Sequence, residues 1–159
     1  MKTAVILSAR KDKGTDIPYP LRPYHDGVCL IDRTIEALTA LEYDNIILVV
    51  GYQAEKYQKF ASEHVRLVLN ADYKFTSSMG SLALAAPYIN DDFLLVEGDT
   101  FYEYKVIKAL TETEHESCFA ITEESGSGDE AFVETRQGYI TKISKDRHQI
   151  CNFEGELLG

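Results

Sequence analysis

"DDFLLVEGDT", residues 91–100, sets two acids ahead of the apolar run Phe93-Leu94-Leu95-Val96 and then places Glu97, Gly98, Asp99 and Thr100 in succession. A run this short and apolar, bounded by polar residues, predicts a strand inside a domain. Period-two alternation puts Glu97 and Asp99 on one side of that strand. Gly98 permits a sharp turn or a close approach of backbone to a ligand. The two carboxylates at the strand's end are what the run leaves to be explained.

Similar runs lie on either side. Ala4-Val5-Ile6-Leu7, Ile46-Ile47-Leu48-Val49-Val50 and Val65-Arg66-Leu67-Val68-Leu69 predict strands one to three, residues 93–96 the fourth, and 118–122 a fifth. Leu30, Ile31, Thr34, Ile35, Leu38 and Leu41 keep helical spacing, and a polar helix carrying Tyr57 and Phe60 follows Gly51. Ser77 or Ser78 caps a further helix that ends near Ala86, before Pro87, and another carries Val106, Ile107 and Leu110. Strands alternating with helices predict βαβ units in a doubly wound parallel sheet. In the tail, 131–135 and 139–143 flank Arg136-Gln137-Gly138 as a three-residue hairpin, and 123–130 reads as a mobile loop. Ligands of such sheets sit beyond the carboxyl ends of the strands, where Asp99 falls.

Composition narrows the partners. A chain of 159 residues, 45% hydrophobic, suits one globular domain. A formal charge of −10 argues against nucleic acid, although a few local cations or a metal ion suffice for a small phosphorylated ligand. Cys29, Cys118 and Cys151 are widely spaced, without metal-ligand spacing, and read as free thiols in a reducing compartment. The start enters an apolar strand after one cation, too short for a signal peptide, and no apolar segment reaches membrane length. The expectation is a cytoplasmic protein with no membrane partner.

Three places carry chemistry, each with a plainer alternative. Glu97 and Asp99 suit Mg²⁺, which takes hard oxygen ligands from one or two carboxylates and substrate phosphates. They equally suit a solvated strand end at which Asp99 or Thr100 caps the next helix. After the first strand, Arg10, Lys11, Lys13 and Arg22 gather four of the sixteen basic residues into a window spanning residues 10–22. That loop grips phosphate or is an ordinary basic surface; it is neither a P-loop nor GxGxxG. Third, Asn70-Ala71-Asp72-Tyr73 precedes Thr76-Ser77-Ser78-Met79-Gly80-Ser81-Leu82, where Gly80 and Ser81 offer backbone N–H groups and hydroxyls to a base or anion, or merely cap a helix.

Together these segments resemble the nucleotidyltransferases of the nucleoside-diphosphate-sugar pyrophosphorylase type. Within them the chain is most similar to the small cytidylyltransferases that activate phosphocholine or 2-aminoethylphosphonate with CTP. The resemblance spans the chain and rests on "AVILSA", "CLIDRTIEAL", "IILVVGYQAE", "LNADYKFTSSMGSLALA", "FLLVEGDTFYE" and "GYITKISKD". It implies a Rossmann-like three-layer α/β/α fold, with a mostly parallel sheet and a hairpin-rich C-terminal part, in one NTP-transferase domain over 1–159. It implies Mg²⁺ on Asp99, the first of two metal-binding aspartates, with Glu97 behind it. Leu7, Ser8 and Ala9, with Arg10 and Lys11, line the nucleotide, as do Ser78, Gly80 and Ser81. Lys142 or Lys145 stands near the acceptor phosphate, and where the family has a lysine that this chain lacks, Arg22, or one of Arg10, Lys11 and Lys13, supplies the charge that holds phosphate.

The chain departs from the family's pattern twice. The family's first loop is glycine-rich after two alanines, where this chain has Ser8-Ala9-Arg10, and its later lysine position holds Tyr19. Family members also continue past a stretch like residues 155–159, and the second aspartate lies in that continuation. The expectation is therefore an amino-terminal domain of a longer protein, fused to a further domain. The alternatives are a sugar-1-phosphate nucleotidyltransferase, a non-catalytic nucleotide-binding domain, and an interaction domain that keeps only the fold. A homodimer is left open.

Overall fold

The computed structural model describes residues 1–159 except 12, 13, 15, 129 and 159. Two compact units divide the chain at Thr111 and Glu112.

The first unit is built on four parallel strands: β1 (Lys2–Ser8), β2 (Tyr43–Val50), β3 (Val65–Leu69) and β4 (Phe93–Glu97), in the order β3-β2-β1-β4. Helix α1 (Leu30–Ala40) joins β1 to β2, α2 (Ser78–Ala85) lies between β3 and β4, and α3 (Tyr104–Thr111) follows β4. Alternation along the strands makes the layers. Ala4, Ile6, Ile46, Leu48 and Val50 face one core with Ile31 and Leu38 of α1 and Ile107 of α3. Val5, Leu7, Ile47 and Val49 face the other, where Leu82 and Ala85 of α2 pack. Helices therefore cover both faces of the central strands, as the resemblance implies. The residue at the head of α1 is held by the backbone N–H of Cys29, which donates to Asp32 Oδ2 at 2.9 Å.

Some elements differ from the sequence reading. The polar helix after Gly51 is a 3-10 run, Ala54–Phe60, whose Tyr57 is fully buried. Pro87 falls inside a further 3-10 turn, Ala86–Tyr88, that continues α2. The apolar run of β4 is half covered: Leu94 and Val96 join the α1 side, whereas Phe93 and Leu95 are 42% and 41% exposed.

The second unit is an antiparallel sheet, β5-β8-β6-β7, made of β5 (Ile121–Thr122), β6 (Phe132–Arg136), β7 (Tyr139–Ser144) and β8 (Phe153–Leu157). The expected fifth parallel strand over 118–122 is thus a two-residue strand paired antiparallel with β8. Gly155 allows this pairing, because a Cβ there would strike the Thr122 carbonyl and the Ile121 side chain. The hairpin loop is also one residue shorter than expected. Arg136 pairs with Tyr139, leaving Gln137 (φ 53°) and Gly138 (φ 81°) as a two-residue turn. Two left-handed residues match the right-handed twist of the flanking strands.

Candidate active site

The carboxyl ends of β1 and β4 are adjacent. Leu7 pairs with Glu97, and the Gly98 N–H donates to the Leu7 carbonyl at 2.7 Å. A Cβ on Gly98 would lie 2.9 Å from that carbonyl and from Ser8 Oγ, so glycine is what lets the β4 end come this close to the β1 loop. Beyond it Asp99 turns outward. Its Oδ2 accepts from Arg10 Nη2 at 2.9 Å, and its side chain is 32% exposed. Asp99 and Thr100 do not cap the following helix: α3 starts at Tyr104, and the Glu103 carbonyl accepts from Val106 and Ile107. The plainer reading of Asp99 as a helix cap is thereby corrected.

Burial pushes the Glu97 carboxyl above its usual range, and the neighbouring Asp99 charge adds to this; a hydrogen bond with Ser78 and the Arg10 charge work the other way. The strand end thus holds two acids that repel each other, one of them half-buried. A cation there relieves both the burial penalty and the repulsion. Among the described residues no group of three or more His, Cys, Asp and Glu side chains forms a metal cage. The donor set fits Mg²⁺, which binds through one or two carboxylates and completes its shell with substrate oxygens and water.

The cations of the first loop diverge. Arg10 lies on Asp99, Lys11 Nζ stands 5.0 Å from the Tyr52 ring centroid, and the Arg22 guanidinium stands 5.0 Å from that of Tyr19. Lys13 lies outside the described residues. Tyr19 shares a 3.2 Å hydrogen bond with the Tyr24 hydroxyl. That bond is the main cause raising the Tyr19 phenol, and the Asp99 charge adds to it. Arg22 thus lies against the Tyr19 ring, while Arg10 is the cation seen on Asp99.

Ser8 and Ala9 are buried, with Ser8 Oγ 2.9 Å from the Tyr57 hydroxyl and the Ala9 carbonyl accepting from Tyr52 N–H at 2.9 Å. At the α2 start, Asn70 does what the sequence reading gave to no residue. It is 1% exposed, its Nδ2 donates to Thr76 Oγ1 at 2.8 Å and Ser81 Oγ at 3.0 Å, and its Oδ1 accepts from Asp72 N–H at 3.1 Å. The signal was there: Asn two residues before Asp, after a strand, is an Asx turn. The backbone N–H of Ser81 is correspondingly not a free donor. Ser81 Oγ accepts from Asn70 Nδ2, and its N–H donates to the Ser77 carbonyl at 3.1 Å. Helix geometry leaves the N–H groups of Ser78, Met79 and Gly80 as the ones open to a ligand. Gly80 is required because a Cβ would lie 2.8 Å from Thr76 Cβ. Lys142 and Lys145 belong to the second unit, where Lys142 in β7 pairs with Glu134 of β6.

Comparison with known proteins bears on the family and the fold. The MobA-like NTP transferase domain matches residues 8–147. The CMP-5'-(3-aminopropyl)phosphonate synthase of Streptomyces rubellomurinus is 28% identical over 108 residues, covering 65% of this chain and 17% of that protein. The choline-phosphate cytidylyltransferase of Haemophilus influenzae is 26% identical over 96 residues, covering 60% of this chain and 40% of that protein. The matches thus span 17% and 40% of the length of these relatives. Among solved structures, the inositol-1-phosphate CTP transferase from T. maritima superposes with a TM-score of 0.70 at 23% identity, covering 99% of this chain and 69% of that one. The CTP:phosphocholine cytidylyltransferase from Streptococcus pneumoniae gives 0.67 at 20% identity, covering 99% and 68%. These two show the fold. With the family match extending over most of its length, the chain belongs to the MobA-like NTP transferase domain family.

Proposed function

We propose that the protein transfers a cytidylyl group from CTP to a small phosphate or phosphonate such as phosphocholine or 2-aminoethylphosphonate, with Mg²⁺ as cofactor. The observation that carries this reading is Asp99, a carboxylate held at the joined ends of β1 and β4 with a loop cation on it. Family membership over residues 8–147 and the cytidylyl chemistry named for the relatives support it.

In this reading the backbone of Leu7, Ser8 and Ala9 and the N–H groups at the α2 start hold the base and ribose. Asp99 holds Mg²⁺, and Glu97 orients a ligand of the same site from behind it. Bound there, the ion neutralises charge on the α-phosphate and the acceptor, lowering their mutual repulsion. An acceptor oxygen forms a bond to the α-phosphorus while the bond from that phosphorus to the oxygen bridging the β-phosphate breaks. Pyrophosphate leaves with that oxygen and the bond's electron pair. Arg10, Lys11 and Arg22 are the cations at hand for the leaving group. Such a transfer needs alignment and charge stabilisation rather than a covalent protein intermediate.

Pyrophosphate release, measured with each of four nucleoside triphosphates and a panel of phosphate and phosphonate acceptors, tests this. CTP-dependent release with a cationic acceptor supports it. Release only with a sugar 1-phosphate moves the chain to the sugar branch. A second reading, nucleotide binding without turnover, is favoured by Tyr19 in the place of a lysine; CTP binding with no release for any acceptor would establish it.

A further inference from the structure

Gln53 carries two local penalties at once. Its backbone is left-handed (φ 53°), a conformation that residues with a Cβ seldom adopt. Its Oε1 is buried and, among the described residues, has no hydrogen-bond partner, although buried polar atoms are nearly always bonded. Nor does it serve the nearest local purpose. It stands at the N-cap of the 3-10 run Ala54–Phe60, yet its side chain makes no capping bond there. A residue that costs stability in both backbone and side chain is retained for another role. What its amide nitrogen holds points to that role.

Gln53 Nε2 donates to the Asp16 carbonyl at 2.8 Å and to the Tyr52 hydroxyl at 3.1 Å. Tyr52 N–H donates to the Ala9 carbonyl at 2.9 Å. The turn after β2 thus grips the β1 loop at two points, Ala9 and Asp16, and Arg10 and Lys11 lie between them in the chain. Lys11 Nζ stands 5.0 Å from the centroid of the Tyr52 ring, whose hydroxyl Gln53 holds. Packing keeps the grip close. The Tyr73 ring lies 6.2 Å from that of Tyr52, and a Cβ on Gly51 would come 2.6 Å from the Ala9 carbonyl and 2.7 Å from Tyr73 Cβ. We propose that Gln53 is a positioning residue for the nucleotide's anionic tail, holding the β1 loop so that Arg10 and Lys11 meet the phosphates already placed. This rests on the nucleotidyl-transfer reading of Asp99. Gln53 itself touches neither nucleotide nor ion. Long cationic side chains on an unheld loop lose conformational freedom as they close on phosphate, and a loop held beforehand loses less.

Gln53→Gly separates this role from plain stability, because glycine takes the left-handed backbone without strain and leaves no buried acceptor. CTP, CMP and inorganic tripolyphosphate, each with Mg²⁺, are titrated calorimetrically into wild type, Gln53→Gly and Gln53→Asn. In Gln53→Gly the expected result is at least about fivefold weaker binding of CTP and of tripolyphosphate. CMP binding should be unchanged, since CMP lacks the β- and γ-phosphates. Asparagine also tolerates the left-handed backbone and keeps an amide, but it is one carbon too short for Asp16, so Gln53→Asn should match Gln53→Gly. A residue that merely held the fold would weaken all ligands alike. That outcome, unchanged affinities in Gln53→Gly, or wild-type affinities in Gln53→Asn would overturn the proposal. Wild type that binds CTP no more tightly than CMP would overturn it too, while leaving the nucleotide reading in place. Gln53-dependent binding of tripolyphosphate with no binding of CTP would remove the nucleotide reading and leave Gln53 positioning the loop for a bare polyphosphate. Binding of neither would overturn both.

Discussion

Arg10 Nη2 lies 2.9 Å from Asp99 Oδ2, so the first cation of the β1 loop is the counter-ion of the acid at the end of β4. With the two side chains 71% and 32% exposed, the pair adds no more than about 1 kcal/mol to stability. A weak, exposed pair is easily exchanged. In the proposed function Arg10 occupies the carboxylate oxygen that Mg²⁺ would take, and it is a cation at hand for the triphosphate. Arg10→Ala should therefore bind Mg²⁺ several-fold more tightly than wild type without nucleotide, and MgCTP more weakly. Calorimetric titration of both ligands checks this. Unchanged affinities for both would mean the pair is a surface contact only.

Gly98 is the closest approach of β4 to the β1 loop. Gly98→Ala puts a methyl 2.9 Å from the Leu7 carbonyl and Ser8 Oγ. Backbone cannot yield as a flexible side chain can, so the strand ends must separate, at a cost of about 1–3 kcal/mol. Urea denaturation measures it. The same separation should weaken CTP binding. A variant of wild-type stability would show that the strand ends tolerate a gap and that their closeness is incidental.

Asp32 gives a pH-dependent term in stability. Burial disfavours its charged form, but the hydrogen bonds from the Cys29 thiol and N–H, with the Lys59 charge, outweigh that and hold its carboxyl below the usual range. A depressed folded pKa means that the stabilisation is fully present above the unfolded value of about 3.9 and is lost as pH falls through the lower folded value. Asp32→Asn should thus be less stable by about 0.5–2 kcal/mol at pH 6, with the difference shrinking below pH of about 4. Denaturation curves across that window decide it; a difference that stays constant with pH would remove the charge from the account.

How much of this was legible in the sequence depended on how each element is held. β1 and β2 were legible as buried strands because Ala4 to Leu7 and Ile46 to Val50 are apolar without interruption. β3 and β4 were legible as strands but not in their burial, since Leu69, Phe93 and Leu95 are exposed. β5 was not legible, because Ile121 and Thr122 are a strand only through their pairing with Leu157 and Glu156 of β8, beside which Gly155 leaves the room they need. The loop between Arg136 and Tyr139 was misjudged by one residue, since Gln137 gives no compositional warning that it takes a left-handed conformation. At the site, Asp99 and Gly98 could be placed from pattern alone. The partner of Asp99 could not, because Arg10 is 89 residues away and only the strand order brings them together. Asn70 was visible as a turn residue, but its grip on Ser81 is tertiary.

In the proposed function Asp99 holds the ion that brings CTP to this site. Titration of CTP with and without Mg²⁺, into wild type and Asp99→Asn, tests it most directly. The substitution keeps the side chain's size and removes the charge that the ion requires. Wild type should bind CTP at least about tenfold more tightly with Mg²⁺ than without, and Asp99→Asn should lose most of that difference, about 1.4 kcal/mol or more, with its fold intact by circular dichroism. Equal Mg²⁺-dependent CTP binding by wild type and Asp99→Asn would contradict the account.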